Sequence, residues 1–157
     1  MKRALLIAIC ALGFTVTGAA QNQGAGPAAS VDNAQQATVY FYRYKQFVGS
    51  GLTPSVYCDD QELARMDNGR YFAVRLDAGK HSLRSNDKQA SIDLETKAGQ
   101  NYYIRIEIAP GMMKGHGRVV LMSPEQGASE IKRLKPLDAS DVRDRDRVVT
   151  EVASAGV

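Results

Sequence analysis

The chain has no tryptophan, two histidines and two cysteines among its 157 residues, and its longest apolar run is short. That run, Ala4 to Val16, stops well before the roughly 20 residues needed to cross a bilayer as a helix. One cysteine, Cys10, lies inside it, so the rest of the chain holds a single thiol and no internal disulfide framework. Cys-x-x-Cys and His-x-x-x-His spacings are absent, and with them a recognisable metal site. There is no Gly-x-Ser-x-Gly elbow to frame a nucleophilic serine, no Rossmann pattern and no phosphate-cradling glycine loop. Net charge is also small: 20 Lys plus Arg stand against 17 Asp plus Glu. A nucleic-acid binder concentrates basic residues on one face, and nothing here does so. No cofactor, metal or catalytic residue is expected, and the chain reads as a non-enzyme.

What is present at the N terminus is an address. Met1-Lys2-Arg3 is a positive n-region, Ala4 to Val16 an h-region, and Gly18-Ala19-Ala20 a small-residue cleavage site, the three parts of a secretory signal. The expected boundaries are a signal peptide at 1–20, a disordered leader at 21–36, a folded domain at 37–138 and a polar tail at 139–157. Removing Lys2 and Arg3 leaves 18 basic against 17 acidic residues, so the mature chain is nearly neutral. Cys10 has no suitable small residues before it for lipidation, so no stable membrane anchor is expected after cleavage. The protein is expected in the periplasm or outside the cell.

Between Thr38 and Leu121 the two-residue period of half-buried strands recurs eight times, punctuated by Gly, Asn, Asp and Pro. The segments are Thr38 to Tyr44, Pro54 to Cys58, Glu62 to Met66, Phe72 to Leu76, Lys80 to Ser85, Ser91 to Glu95, Tyr102 to Ile108 and Arg118 to Leu121. Short strands at such spacing predict an all-β fold, an antiparallel β-sandwich of prealbumin-like or immunoglobulin-like type with seven to eight strands. One short C-terminal helix is predicted from Ser123-Pro124-Glu125-Gln126, an N-cap, a proline at the first helical position and a capping-box glutamine. It should end near Arg133 or Leu134, before Pro136. The Asp-Arg alternation of Asp141 to Arg147 has no wide apolar face, and Ser140 to Val157 reads as a solvated tail or frayed helix.

Connections this short reverse the chain at every step, so alternate loops gather at the same end. One end collects Gly49-Ser50-Gly51, Asn68-Gly69-Arg70, Asn86-Asp87-Lys88 and the loop Pro110 to Gly117. The other collects Asp59-Asp60-Gln61, Asp77-Ala78-Gly79 and Ala98-Gly99-Gln100, an acidic end whose residues fit turns better than a calcium loop. In the first end Met112, Met113, Lys114, His116 and Arg118 combine glycine flexibility, positive charge and apolar surface, and are the candidate ligand-binding residues. Tyr40, Tyr42 and Tyr44 form a stripe that is either a sugar platform or a face covered by the helix. Arg43 and Lys45 beside it are expected to be solvated, Cys58 to be a buried small hydrophobe, and His81 to be a satisfied, partly buried ring.

The string Tyr40 to Val56, with Asp67-Asn68-Gly69-Arg70-Tyr71-Phe72, Ala78-Gly79-Lys80-His81, Ala98 to Tyr103 and Lys114 to Arg118, resembles a bacterial exported family, the domain of unknown function family 2846. The resemblance ends near Lys135 to Asp138. It implies a small β-rich domain, often behind a signal peptide or lipoprotein signal, and supplies no activity, ligand or catalytic residues. The Val56 to Arg65 pattern also looks like the strand-turn-strand of prealbumin-like and carbohydrate-binding sandwiches.

The functional expectation is an exported, non-catalytic domain that binds a protein partner or envelope component, an envelope protein or glycan and no nucleic acid. The alternative is a carbohydrate- or peptidoglycan-binding module using the tyrosine stripe. A small hydrolase is the third reading, and it requires His81 and His116 to meet at one carboxylate.

Overall fold

The structure, a computed structural model, describes residues 35–87, 90–109 and 115–149. The signal, nearly all of the leader, Lys88 and the Met112-Met113-Lys114 segment lie outside the described residues. All eight expected strands are present: β1 (Gln36–Tyr42), β2 (Ser55–Cys58), β3 (Gln61–Arg65), β4 (Arg70–Asp77), β5 (Gly79–Arg84), β6 (Ile92–Thr96), β7 (Asn101–Ala109) and β8 (His116–Met122). Gln36, expected as the last leader residue, instead opens β1. Helix α1 (Pro124–Ile131) follows, then two short strands, β9 (Lys135–Pro136) and β10 (Val148–Val149).

The strands form two sheets, β10-β4-β1-β7-β8 with β9 also on β4, and β3-β2-β5-β6. Side chains that alternate along each strand meet between them. Val39 and Phe41 of β1, Val56 and Cys58 of β2, Phe72 and Val74 of β4, Leu83 of β5 and Ile104 and Ile106 of β7 make one core. Phe41 stacks on Phe72 with ring centroids 5.2 Å apart. This is the expected sandwich with one difference in detail: β1 and β7 are parallel. Each connection does reverse the chain, but because it crosses repeatedly between sheets, two odd-numbered strands become neighbours.

The opposite face of the larger sheet is covered by α1. Ser123 caps it, accepting from the Gln126 amide at 3.3 Å. Gly127 is the contact: a Cβ there would stand 2.2 Å from the Tyr103 Cβ, so only glycine lets helix and sheet approach this closely. Tyr40 stacks on Tyr103 at 5.0 Å, and the Tyr42 hydroxyl donates to Glu130 Oε2 at 2.5 Å. Both tyrosines are buried and Tyr44 is half-buried. The tyrosine stripe is therefore a covered face, and it offers no flat platform to a sugar.

The expected polar tail is corrected over residues 139–149. These fold back as a strap joining the two sheets. Val142 bridges Ala64 of β3, Arg143 and Asp144 amides donate to the Leu63 carbonyl at 2.9 and 3.0 Å, and Val148 pairs with Val74 of β4. Val142, Asp144 and Val148 are buried. The Asp-Arg alternation hid two valines six residues apart, too far apart to register as helical or strand periodicity.

Candidate functional site

The first loop end assembles as the chain reversals require, but around a residue expected in solvent. Arg43 is 1% exposed. Its Nη1 donates to the Leu52 carbonyl and its Nη2 to the Gly49 carbonyl at 2.7 Å. Nε is buried with no hydrogen-bond partner among the described residues. Burial pushes the guanidinium below its ordinary value, and the nearby Asp67 carboxylate opposes that shift. Buried charge is retained where its protons are satisfied by acceptors that water can no longer supply, and here the acceptors are carbonyls of the loop that follows β1.

Other contacts fix the same loop. Asn68 clamps Gln46 from both sides, accepting from its amide at 2.9 Å and donating to its carbonyl at 2.8 Å. Ser50 and Leu52 amides close turns on the Phe47 and Gly49 carbonyls. Gly49, at φ +76°, lies against Ile108 of β7. The result is a held loop whose tip turns outward: Phe47 is 95% exposed and Val48 81%. Gln46, on one side of the tip, lines a cleft of about 330 Å³ with Tyr44, Arg105 and Glu107. Leu52, on the other, lines a cleft of about 160 Å³ with Pro54, Asn86, Gly115 and Gly117. Ile108 contributes to both.

Of the expected site residues, Met112, Met113 and Lys114 lie outside the described residues. His116 is exposed at the start of β8, opposite Ala109. Arg118 is also exposed, but its Nη2 donates to Glu107 Oε2 at 2.7 Å, and Arg105 donates to the same carboxylate at 2.5 Å. The hydrogen bond from Arg118, with that from Arg105, holds Glu107 below its ordinary value. Arg118 is thus largely neutralised. Residues that periodicity missed are Arg43, Phe47 and Val48. The signal for the pair was their position: two apolar residues directly before Gly49-Ser50-Gly51, where a turn carries them away from the core.

The opposite end is also built. Asp59 and Asp60 take positive φ in the β2–β3 turn, at 52° and 64°. Asp59 Oδ1 accepts from the Ser82 amide at 2.9 Å. Its Oδ2 lies 2.8 Å from His81 Nδ1 and 3.5 Å from Cys58 Sγ, while His81 Nε2 lies 3.0 Å from the Asp77 carbonyl. His81 is the satisfied ring expected, and Cys58 is buried. As a free thiol Cys58 is pushed up to about 12, by burial first and then by the Asp59 carboxylate, which makes it a poor nucleophile. His81 and His116 stand at opposite ends: His116 adjoins Gly117, which abuts Ser85 just past the far end of β5, whereas His81 is near the start of β5. They do not share a carboxylate.

A family model described as protein of unknown function (DUF2846) matches residues 33–122. An uncharacterized protein of Haemophilus influenzae (strain ATCC 51907 / DSM 11121 / KW20 / Rd) is 29% identical over 98 residues, which is 61% of this chain and 58% of that protein. The chain therefore spans little more than half the length of this relative. No solved structure matches. The matched region runs from just before β1 to the end of β8, and the chain belongs to the DUF2846 family.

Proposed function

We propose that this is a non-catalytic, exported domain that binds a protein partner in the cell envelope through the sandwich end carrying Phe47 and Val48. The observation that carries the reading is the combination of an almost fully exposed Phe-Val pair with a buried arginine and an Asn68 clamp that hold its loop. Exposed aromatic residues on a prearranged loop bind well because little conformational entropy remains to be lost. A mobile loop with the same residues would bind more weakly.

The surroundings suggest what the partner presents. Lys45, Arg133 and Lys135 line a cleft of about 360 Å³ around Gly69, and none has a carboxylate partner among the described residues. Arg70, in the same cleft, is occupied by Asp138 at 2.9 Å. An apolar pocket with an acidic rim complements a Phe-Val tip beside three free cations. His116 and Arg118 extend the same end, and Met112, Met113 and Lys114 precede them in the sequence. Support for an absence of catalysis is the buried, high-pKa thiol and the separation of the two histidines. Export rests on the three-part N-terminal signal.

The test compares the wild type with Phe47→Ser/Val48→Ser and with Lys114→Ala/His116→Ala/Arg118→Ala for co-fractionation with envelope proteins. Loss with the first variant and partial loss with the second is expected. Equal recovery of every partner by all three would remove this end as the contact surface.

A further inference from the structure

Three donor atoms of different side chains converge at the end opposite the Phe47 tip. Cys58 Sγ, Asp59 Oδ2 and His81 Nδ1 all lie within 4.8 Å of one another. They were invisible to spacing rules because Cys58-Asp59 and His81 are brought together by the pairing of β2 with β5, which sets Cys58 opposite Leu83. We propose that these three side chains bind one borderline-soft divalent cation of the zinc class.

The second atoms of two of these ligands are already held by backbone. Asp59 Oδ1 accepts from the Ser82 amide, leaving Oδ2 as the inward oxygen. His81 Nε2 sits 3.0 Å from the Asp77 carbonyl, a contact that requires a proton on Nε2, while Nδ1, 2.8 Å from the Asp59 carboxylate, carries the proton that a metal would displace. A carbonyl on the far nitrogen is the usual outer partner of a metal-bound imidazole. Asp77 O also accepts from the Thr96 hydroxyl at 2.7 Å, so this partner is itself fixed. Backbone thus holds the outer atoms of Asp59 and His81, and the three inward atoms lie within 4.8 Å of one another.

Two of the three separations come close to what the ion needs. Tetrahedral zinc places sulfur, nitrogen and oxygen ligands about 3.3–3.6 Å apart. The Asp59–Cys58 separation of 3.5 Å already matches, and the Asp59–His81 contact of 2.8 Å needs to open by about 0.5 Å. One thiolate and one carboxylate balance a divalent charge, with the Cys58 thiol proton and the His81 Nδ1 proton leaving to solvent as the metal–sulfur and metal–nitrogen bonds form. Arg147 and Asp144 beside the cluster pair with each other at 3.6 Å and add no net charge. The Asp59 side chain is 44% exposed and that of His81 15%, so the fourth position opens to water. A thiol and an imidazole select against calcium or magnesium, which take oxygen ligands.

Cobalt(II) is the probe, because a thiolate ligand gives it a near-ultraviolet charge-transfer band and tetrahedral coordination gives strong visible bands. The full chain carrying Cys10→Ser, so that Cys58 is its single thiol, is stripped with chelator and titrated. One Co²⁺ per chain with both signatures, displaced by one Zn²⁺, is expected. Cys58→Ser should abolish the charge-transfer band. His81→Ala should lower affinity by at least about 100-fold, and Asp60→Asn, whose carboxylate pairs with Arg84 instead, should change neither. Absence of a charge-transfer band with the folded Cys10→Ser chain at stoichiometric cobalt overturns the proposal, whatever the fold of the variants. So does undiminished binding by a folded Cys58→Ser. Neither result bears on the Phe47 end, which shares no residue with this cluster.

Discussion

The Arg43 guanidinium sits beneath the loop it organises, with Nη2 2.7 Å from the carbonyl of Gly49. Replacing it with leucine leaves the Leu52 carbonyl without its donor and the Gly49 carbonyl with the Leu52 amide alone. A cost of about 2–3 kcal/mol is expected, since hydrogen bonds from charged groups contribute at the upper end of the range. Arg43→Lys should recover only part, because one ammonium cannot reproduce a two-pronged fork. Urea unfolding measures the cost. Hydrogen exchange at the Ser50 and Leu52 amides should accelerate in both variants before global unfolding does.

Gly127 tests the helix cover. A methyl group there meets the Tyr103 side chain at 2.2 to 2.8 Å, so Gly127→Ala should cost about 1–3 kcal/mol through displacement of α1, even though alanine favours helices. Calorimetry checks the sign: a higher melting temperature would mean that the helix is not seated as described.

Acid should loosen the same face. Burial raises Glu130, but hydrogen bonds from Tyr42, Tyr44 and Gln126 and the charge of Arg105 outweigh it, and the net shift is downward from 4.5. Glu107 is held down first by Arg118. For a carboxylate lowered by folding, the unfolded chain binds the proton more readily. The stabilisation is complete above the unfolded value near 4.5 and is lost as pH falls from there through the folded value. Glu130→Gln should be less stable than the wild type at neutral pH and show a shallower decline in acid. Urea midpoints at a series of pH values between 7 and about 3 measure both.

The strap makes a further prediction. A fully buried valine contributes roughly 1.5–3 kcal/mol, and Val148 is 8% exposed against β4. Val148→Asp should destabilise by at least that amount and release residues 139–149 to proteolysis before the sandwich core. Cleavage in this segment at equal rates in wild type and variant would argue against the docked strap.

Much of this was legible in the sequence because strands half-buried in a sandwich repeat every two residues. Val39 and Phe41 alternate with Tyr40 and Tyr42, and Ile104 and Ile106 with Tyr103 and Arg105, so both faces of the larger sheet could be assigned before any packing was known. The N-cap of α1 was local chemistry in Ser123 to Gln126. What escaped depended on distant partners. Arg43 is buried because carbonyls six and nine residues later turn back onto it, and charge alone argues for solvent. The strap depends on Val142 and Val148 finding two different sheets. Cys58, Asp59 and His81 meet only through strand register, and Phe47 becomes conspicuous only once its neighbours are seen to be fixed.

The claim that this end is the contact surface is tested most directly by a photo-crosslinking amino acid placed at Phe47 and, separately, at exposed Lys80 at the other end of the sandwich. The account predicts a discrete adduct with an envelope protein from position 47 that Lys80 does not form, and that weakens when Arg43→Leu loosens the loop. The same adducts from both positions, or none from position 47, would contradict it.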